Sequence, residues 1–215
     1  MSTPLIPPRF LFRYSIPLKK REPLWSAEEL DEAYRLPNLL ELDGVRPYAE
    51  VLGAWSVEGL MFGVRVGGKH QPAWCRETRP DESDGLRIWI DTRDTHNIHR
   101  ASRFCHHFVI LPAGAGRMMD DPVVEQQLIN RAKEHAKPVR PGLIQARRQK
   151  RVDGYNLETF IPAAALTGWD PSEHPKLGFT YAIVDRELGN QTLNCPNEFS
   201  YHDDPSLWAT LELTS

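Results

Sequence analysis

Cysteine is scarce in this sequence: 215 residues contain three, Cys75, Cys105 and Cys195. They are widely spaced, odd in number and form no CxxC pair. A disulfide framework is therefore excluded, and free thiols in a reducing compartment are expected. No apolar stretch approaches the roughly 18 residues that a membrane helix needs. No long run of Lys or Arg is present and the formal net charge is -3, so the electrostatic footprint of a nucleic-acid binder is missing. Residues 1–21 are interrupted by Pro4, Pro7, Pro8 and Pro17 and lack the apolar centre of a signal peptide, which implies a cytoplasmic protein. There is no GxSxG elbow. The glycine-rich run at 113–116 leads to Arg117 rather than to a phosphate-loop lysine.

What is there is alternation. With 40% hydrophobic and 26% charged residues, the chain has the composition of a folded domain. Most segments repeat with period 2, as half-buried strands do. Phe10, Phe12, Tyr14 and Ile16 take one face of a first strand. Residues 50–55 and 60–66 form a hairpin around Val57-Glu58-Gly59. Leu86, Ile88 and Ile90 alternate with Arg87, Trp89 and Asp91. Residues 104–111 are apolar on both faces and read as a central strand. Residues 143–148 and 155–161 pair through Val152-Asp153-Gly154, and 178–185 and 208–213 complete the set. The basic cluster Arg147, Arg148, Lys150 and Arg151 reads as a solvated hairpin.

Helix signals are few. Asp121-Pro122 resembles an N-cap followed by a first-turn proline, predicting a helix over 122–136 inserted between strands and lying outside the sandwich. Ser26 and Glu29 have capping-box spacing for a short helix over 26–34, and 162–166 predicts one turn. The expected fold is all-β: a two-sheet antiparallel β-sandwich of jelly-roll or immunoglobulin-like type with one inserted helix. Residues 1–44 would supply a strand and short helix packed on it, and 45–215 the sandwich, within a single structural domain.

Few chemical constellations emerge. His96, His99, Cys105, His106 and His107 lie close in sequence, yet adjacent His106 and His107 must point to opposite faces of a strand, and no known zinc spacing appears. They read as packed histidines. Trp74 lies in a polar, turn-rich connection, where an aromatic ring is either a platform for an apolar sugar face or a plug for its own loop.

Five stretches carry a resemblance: 54–64, Asp84 to Asp91, 154–166, 177–185 and 204–213. In order and spacing they resemble family 9 carbohydrate-binding modules, part of a wider group of DOMON-like sandwiches. The resemblance implies a non-enzymatic protein that clamps a terminal sugar between two aromatics, here Trp74 and Tyr201. Arg87 stands where family members carry a ligand-binding glutamate, and His106 or His107 where they carry a basic residue. Trp89 would share this floor and Asn197 would add a polar contact. The reversed charge at Arg87 points either to a structural ion pair with a carboxylate or to an acidic sugar ligand. No cofactor is expected, and a calcium requirement is not legible in the sequence. The wider group also implies two alternatives. One is a haem-binding electron-transfer domain using His106, His107, Met118 or Met119. The other is an interaction sandwich without a small ligand.

Overall fold

A computed structural model describes residues 6–215, so Pro4 and the very start of the chain lie outside the described residues. Eleven strands build two sheets: β1 (Ser15–Lys19), β2 (Ala49–Ser56), β3 (Gly59–Val66), β4 (Gly85–Asp91), β5 (Cys105–Ala115), β6 (Asp121–Gln127), β7 (Gln145–Arg151), β8 (Gly154–Pro162), β9 (Lys176–Asp185), β10 (Gly189–Thr192) and β11 (Ala209–Thr214). The larger sheet runs β1-β11-β9-β4-β5-β6, with β10 also paired to β9; the smaller runs β2-β3-β8-β7. Among the described residues, every pairing between these strands is antiparallel except β1 with β11.

The alternation read from the sequence decides which side chains form the core. Leu86, Ile88 and Ile90 of β4, Phe108 and Ile110 of β5, and Leu177, Phe179 and Ile183 of β9 meet Leu60, Phe62 and Val64 of β3 and Leu157 and Ile161 of β8. Phe62 and Phe179 stack across the two sheets with centroids 5.1 Å apart. Each such side chain contributes about 1.5–3 kcal/mol by leaving water. The β7–β8 turn requires Gly154, whose φ is +158° and where a Cβ would strike the Val66 carbonyl.

Three local expectations are corrected. The predicted helix over 122–136 is instead strand β6 and a following turn. β5 needs a partner on its open edge, and β6 supplies one, pairing Leu111 with Val123 and Val109 with Glu125. Val123 and Val124 are β-branched, and Pro122 is tolerated because β6 is an edge strand. The helix expected over 26–34 shrinks to a 3-10 turn at Glu32–Tyr34. Phe10 belongs to another such turn, Pro8–Leu11, so the first strand begins later, at Ser15. The predicted turn after β8 is present as Ala163–Ala165. Among the described residues, no helix is long and apolar enough to cross a membrane.

Candidate functional site

The outer face of the larger sheet gathers several of the residues named above. On β4, Arg87 and Trp89 alternate outward. The register pairs Trp89 with His107 of β5 and with Thr180 of β9. Trp89 and His107 stack with centroids 4.3 Å apart and planes 9° from parallel. His106, one residue earlier, turns inward as period 2 requires: it stacks on Phe108, and its Nε2 accepts from the Thr167 N–H at 3.0 Å. His107 is therefore the floor histidine.

Arg87 does not form the structural ion pair expected of it. Its Nη2 donates to the carbonyls of Pro80, Asp81 and Ser83 at 3.1, 2.8 and 3.2 Å, and among the described residues no carboxylate pairs with it. The turn that opens β4 folds its backbone over the guanidinium, a contact no side-chain pattern encodes. Arg87 Nη1, Trp89 Nε1 and His107 Nε2 are buried and have no hydrogen-bond partner among the described residues. Burial pushes the His107 imidazole down to about 3, with nearby Arg87 and His202 adding to the effect. Burial likewise lowers His106 to about 4. Both rings are neutral at ordinary pH.

The two expected clamp aromatics have different neighbours. Tyr201 meets Trp89 edge-on at 5.5 Å, and its carbonyl accepts from Trp208 Nε1 at 2.7 Å. Its hydroxyl reaches Asn197 Oδ1 only at 3.5 Å. Trp74 is held by its own loop, where its N–H donates to Asp84 Oδ2 at 3.0 Å. Its ring faces Arg186 at 4.5 Å and Arg76 at 5.2 Å. Alternation of β9 also places Thr180 on the floor, where its hydroxyl donates to Asn194 Oδ1 at 3.3 Å. Sequence reading missed this pair, although the period-2 signal for Thr180 was available.

The haem ligands do not converge. Met118 and Met119 are exposed on the turn beyond β5. The eight-residue strand rise from His107 to Ala115 alone is about 26 Å. Nor do the clustered histidines bind together. His96 contacts Asp94 and Thr210, while His99 contacts Asp204 and Ser206. No metal-holding group of His, Cys, Asp or Glu occurs among the described residues. One buried acidic cluster exists, but it is filled from within: Lys69 Nζ meets Asp185, Asp84 at 3.4 Å and Glu187 at 3.8 Å.

No family model matches the chain, and no curated protein matches it. Solved structures do. A family 9 carbohydrate-binding module from Caldicellulosiruptor kristjanssonii, in complex with cellotriose, superposes with a TM-score of 0.62 at 14% identity over 94% of both chains. The module from the same organism in complex with glucose gives 0.59 at 14% identity, over 94% of this chain and 96% of that one. A candidate carbohydrate-binding protein from Bacteroides uniformis gives 0.56, over 94% and 100%. This is a family 9 carbohydrate-binding-module-like fold. At 14% identity the likeness concerns the backbone, and the side chains of the outer face must be argued on their own terms.

Proposed function

We propose that this chain is a non-enzymatic carbohydrate-binding protein and that the outer face of the larger sheet holds the sugar. The observation that carries the reading is the row of unpartnered buried atoms, Arg87 Nη1, Trp89 Nε1 and His107 Nε2, on one face. A buried polar atom without a partner costs about 1–3 kcal/mol, and a sugar hydroxyl, both donor and acceptor, relieves it. Neutral His107 Nε2 serves as an acceptor or donor according to its tautomer, while the other two atoms donate. The stacked Trp89–His107 surface suits an apolar sugar face. The sugars bound by the fold's solved neighbours support the same reading.

Tyr201 forms the movable wall: it leans on Trp89 and must swing outward to admit a ring. Asn197 moves with it. Trp74 serves as the opposite wall only when Arg186 or Arg76 gives way. The carboxylate of β4 on this side, Asp91, accepts from the Arg93 and Thr95 N–H groups at 3.0 and 2.8 Å and so serves the following turn. Calorimetry with cellotriose and glucose tests the proposal. Binding at millimolar concentration or tighter, lost in His107→Ala, is expected. Absence of heat with either sugar at millimolar ligand overturns it.

A further inference from the structure

A cleft, apart from the aromatic floor, opens between the two sheets at their free edge. It has a volume of about 370 Å³ and is bordered by β7, the 69–75 loop and the β5–β6 turn. That volume lies near the lower end of small-molecule sites, where a monosaccharide-sized ligand fits. Its charge comes from an unusual placement. Arg148 and Lys150 pair in register with Leu157 and Tyr155, whose side chains belong to the core. Both therefore project to the inner side of an edge strand, whereas Arg147 projects outward to Glu158. The expectation of a solvated basic hairpin is thus corrected for Arg148, whose side chain is only 13% exposed.

A single carboxylate, Asp120 on the β5–β6 turn, answers both cations, at 3.2 Å from Arg148 and 3.4 Å from Lys150. Lys69 adds no free positive charge, because Asp84, Asp185 and Glu187 surround it and leave that buried group net negative. Tyr155 also lines the cleft. It is 3% exposed, and its hydroxyl has no hydrogen-bond partner among the described residues. Cys75 beside it stays a neutral thiol, since burial pushes it up to about 11. The β7 side of the cleft therefore sets two cations against one carboxylate and adds a phenol donor waiting for an acceptor.

We propose that this cleft binds a small oxyanion carried on a polar body, a sugar acid or a phosphorylated sugar. Arg148 grips the oxyanion as a fork and Lys150 as a point charge, Tyr155 donates its hydroxyl, and Asp120 is the internal counterion that the ligand displaces. This site is separate from the aromatic floor and does not depend on it.

Calorimetry on the full chain at fixed ionic strength tests the proposal, with inorganic phosphate, glucose 6-phosphate, glucuronate and glucose as probes. At least one anionic probe binds, and the choice between phosphate and carboxylate identifies the oxyanion. Arg148→Gln weakens that binding by about tenfold or more. Asp120→Asn strengthens it several-fold, a result that charges serving merely to protect the edge strand would not give. Tyr155→Phe weakens binding while leaving the melting temperature unchanged or slightly higher, since the hydroxyl it removes has no partner in the free protein. Failure of every anionic probe at millimolar concentration overturns the proposal. So does binding that survives the Arg148→Gln, Lys150→Gln double variant, or that falls in Asp120→Asn.

Discussion

The two sheets treat their outer faces differently. On the smaller sheet, the buried carboxylate of Glu158 accepts from the Leu30 N–H at 2.7 Å and from Arg147 Nε at 2.7 Å. Arg147 in turn donates to the Ser26 and Glu28 carbonyls. Leu24 and Leu30 complete the cover by packing on Leu52, Ala54 and Met61. On the larger sheet, Trp89, His107 and Arg87 are covered too, yet each keeps a buried polar atom without a partner. The smaller sheet's outer face keeps one such atom, Asn156 Oδ1, against the row of three on the larger. Native proteins leave few buried polar atoms unpaired, so a row of them on one face marks a surface shaped for something other than its own stability. The contrast separates polar groups that hold the fold from polar groups kept for a ligand.

Removing a satisfied group should give the largest effects. Lys69→Met leaves Asp84 and Asp185, both almost fully buried, without their cation. A loss of about 3–5 kcal/mol in denaturant unfolding is expected, and a loss below about 1 kcal/mol would erase the contrast. Glu158→Ala strands the Leu30 N–H and Arg147, whose side chain is 30% exposed and partly recovers water. About 2–3 kcal/mol is expected by the same measurement.

Acid should act on the larger sheet, on both faces of β5. His107 and His106 are held at about 3 and about 4 in the fold, below the ordinary 6.5. The unfolded chain therefore takes up protons that the folded chain refuses. Stability is full above about pH 6.5 and falls as pH drops towards those values, by on the order of 1.4 kcal/mol per pH unit for each ring. Melting temperature followed from pH 7 to pH 4.5 checks this, and His107→Phe should shallow the slope. At neutral pH that variant keeps an aromatic ring on Trp89 and removes an unpaired atom, so its stability should stay within about 1 kcal/mol while cellotriose binding disappears. Strong destabilisation with binding retained would reverse the assignment. The smallest effect on sugar binding belongs to Trp74→Ala, which loses contacts with Arg186 and Arg76 worth about 0.5–1 kcal/mol each. A loss of sugar binding as large as that of His107→Phe would restore Trp74 to the clamp.

Much of the larger sheet's outer face was legible as alternation. Period 2 separated Arg87 and Trp89 from Leu86, Ile88 and Ile90, and set His106 against His107; the structure follows both. The same rule, applied to β7, would have turned Arg148 inward, but the density of charge around it favoured a solvated reading. Strand β6 was not legible, because Asp121-Pro122 is equally a helix start and an edge-strand start until the open edge of β5 is known.

The sequence by itself determined which side chains share a face, because pleat geometry is local and needs no knowledge of the rest of the chain. It therefore determined the two-sheet sandwich, its central strands and most of its core. Only the tertiary structure decided what each outward or buried polar group meets. Arg87 under the carbonyls of Pro80, Asp81 and Ser83, Lys69 among Asp84, Asp185 and Glu187, and Tyr201 edge-on to Trp89 all follow from loops returning over the sheets. Those returns are fixed by long-range burial and hydrogen bonding, to which a local repeat is blind.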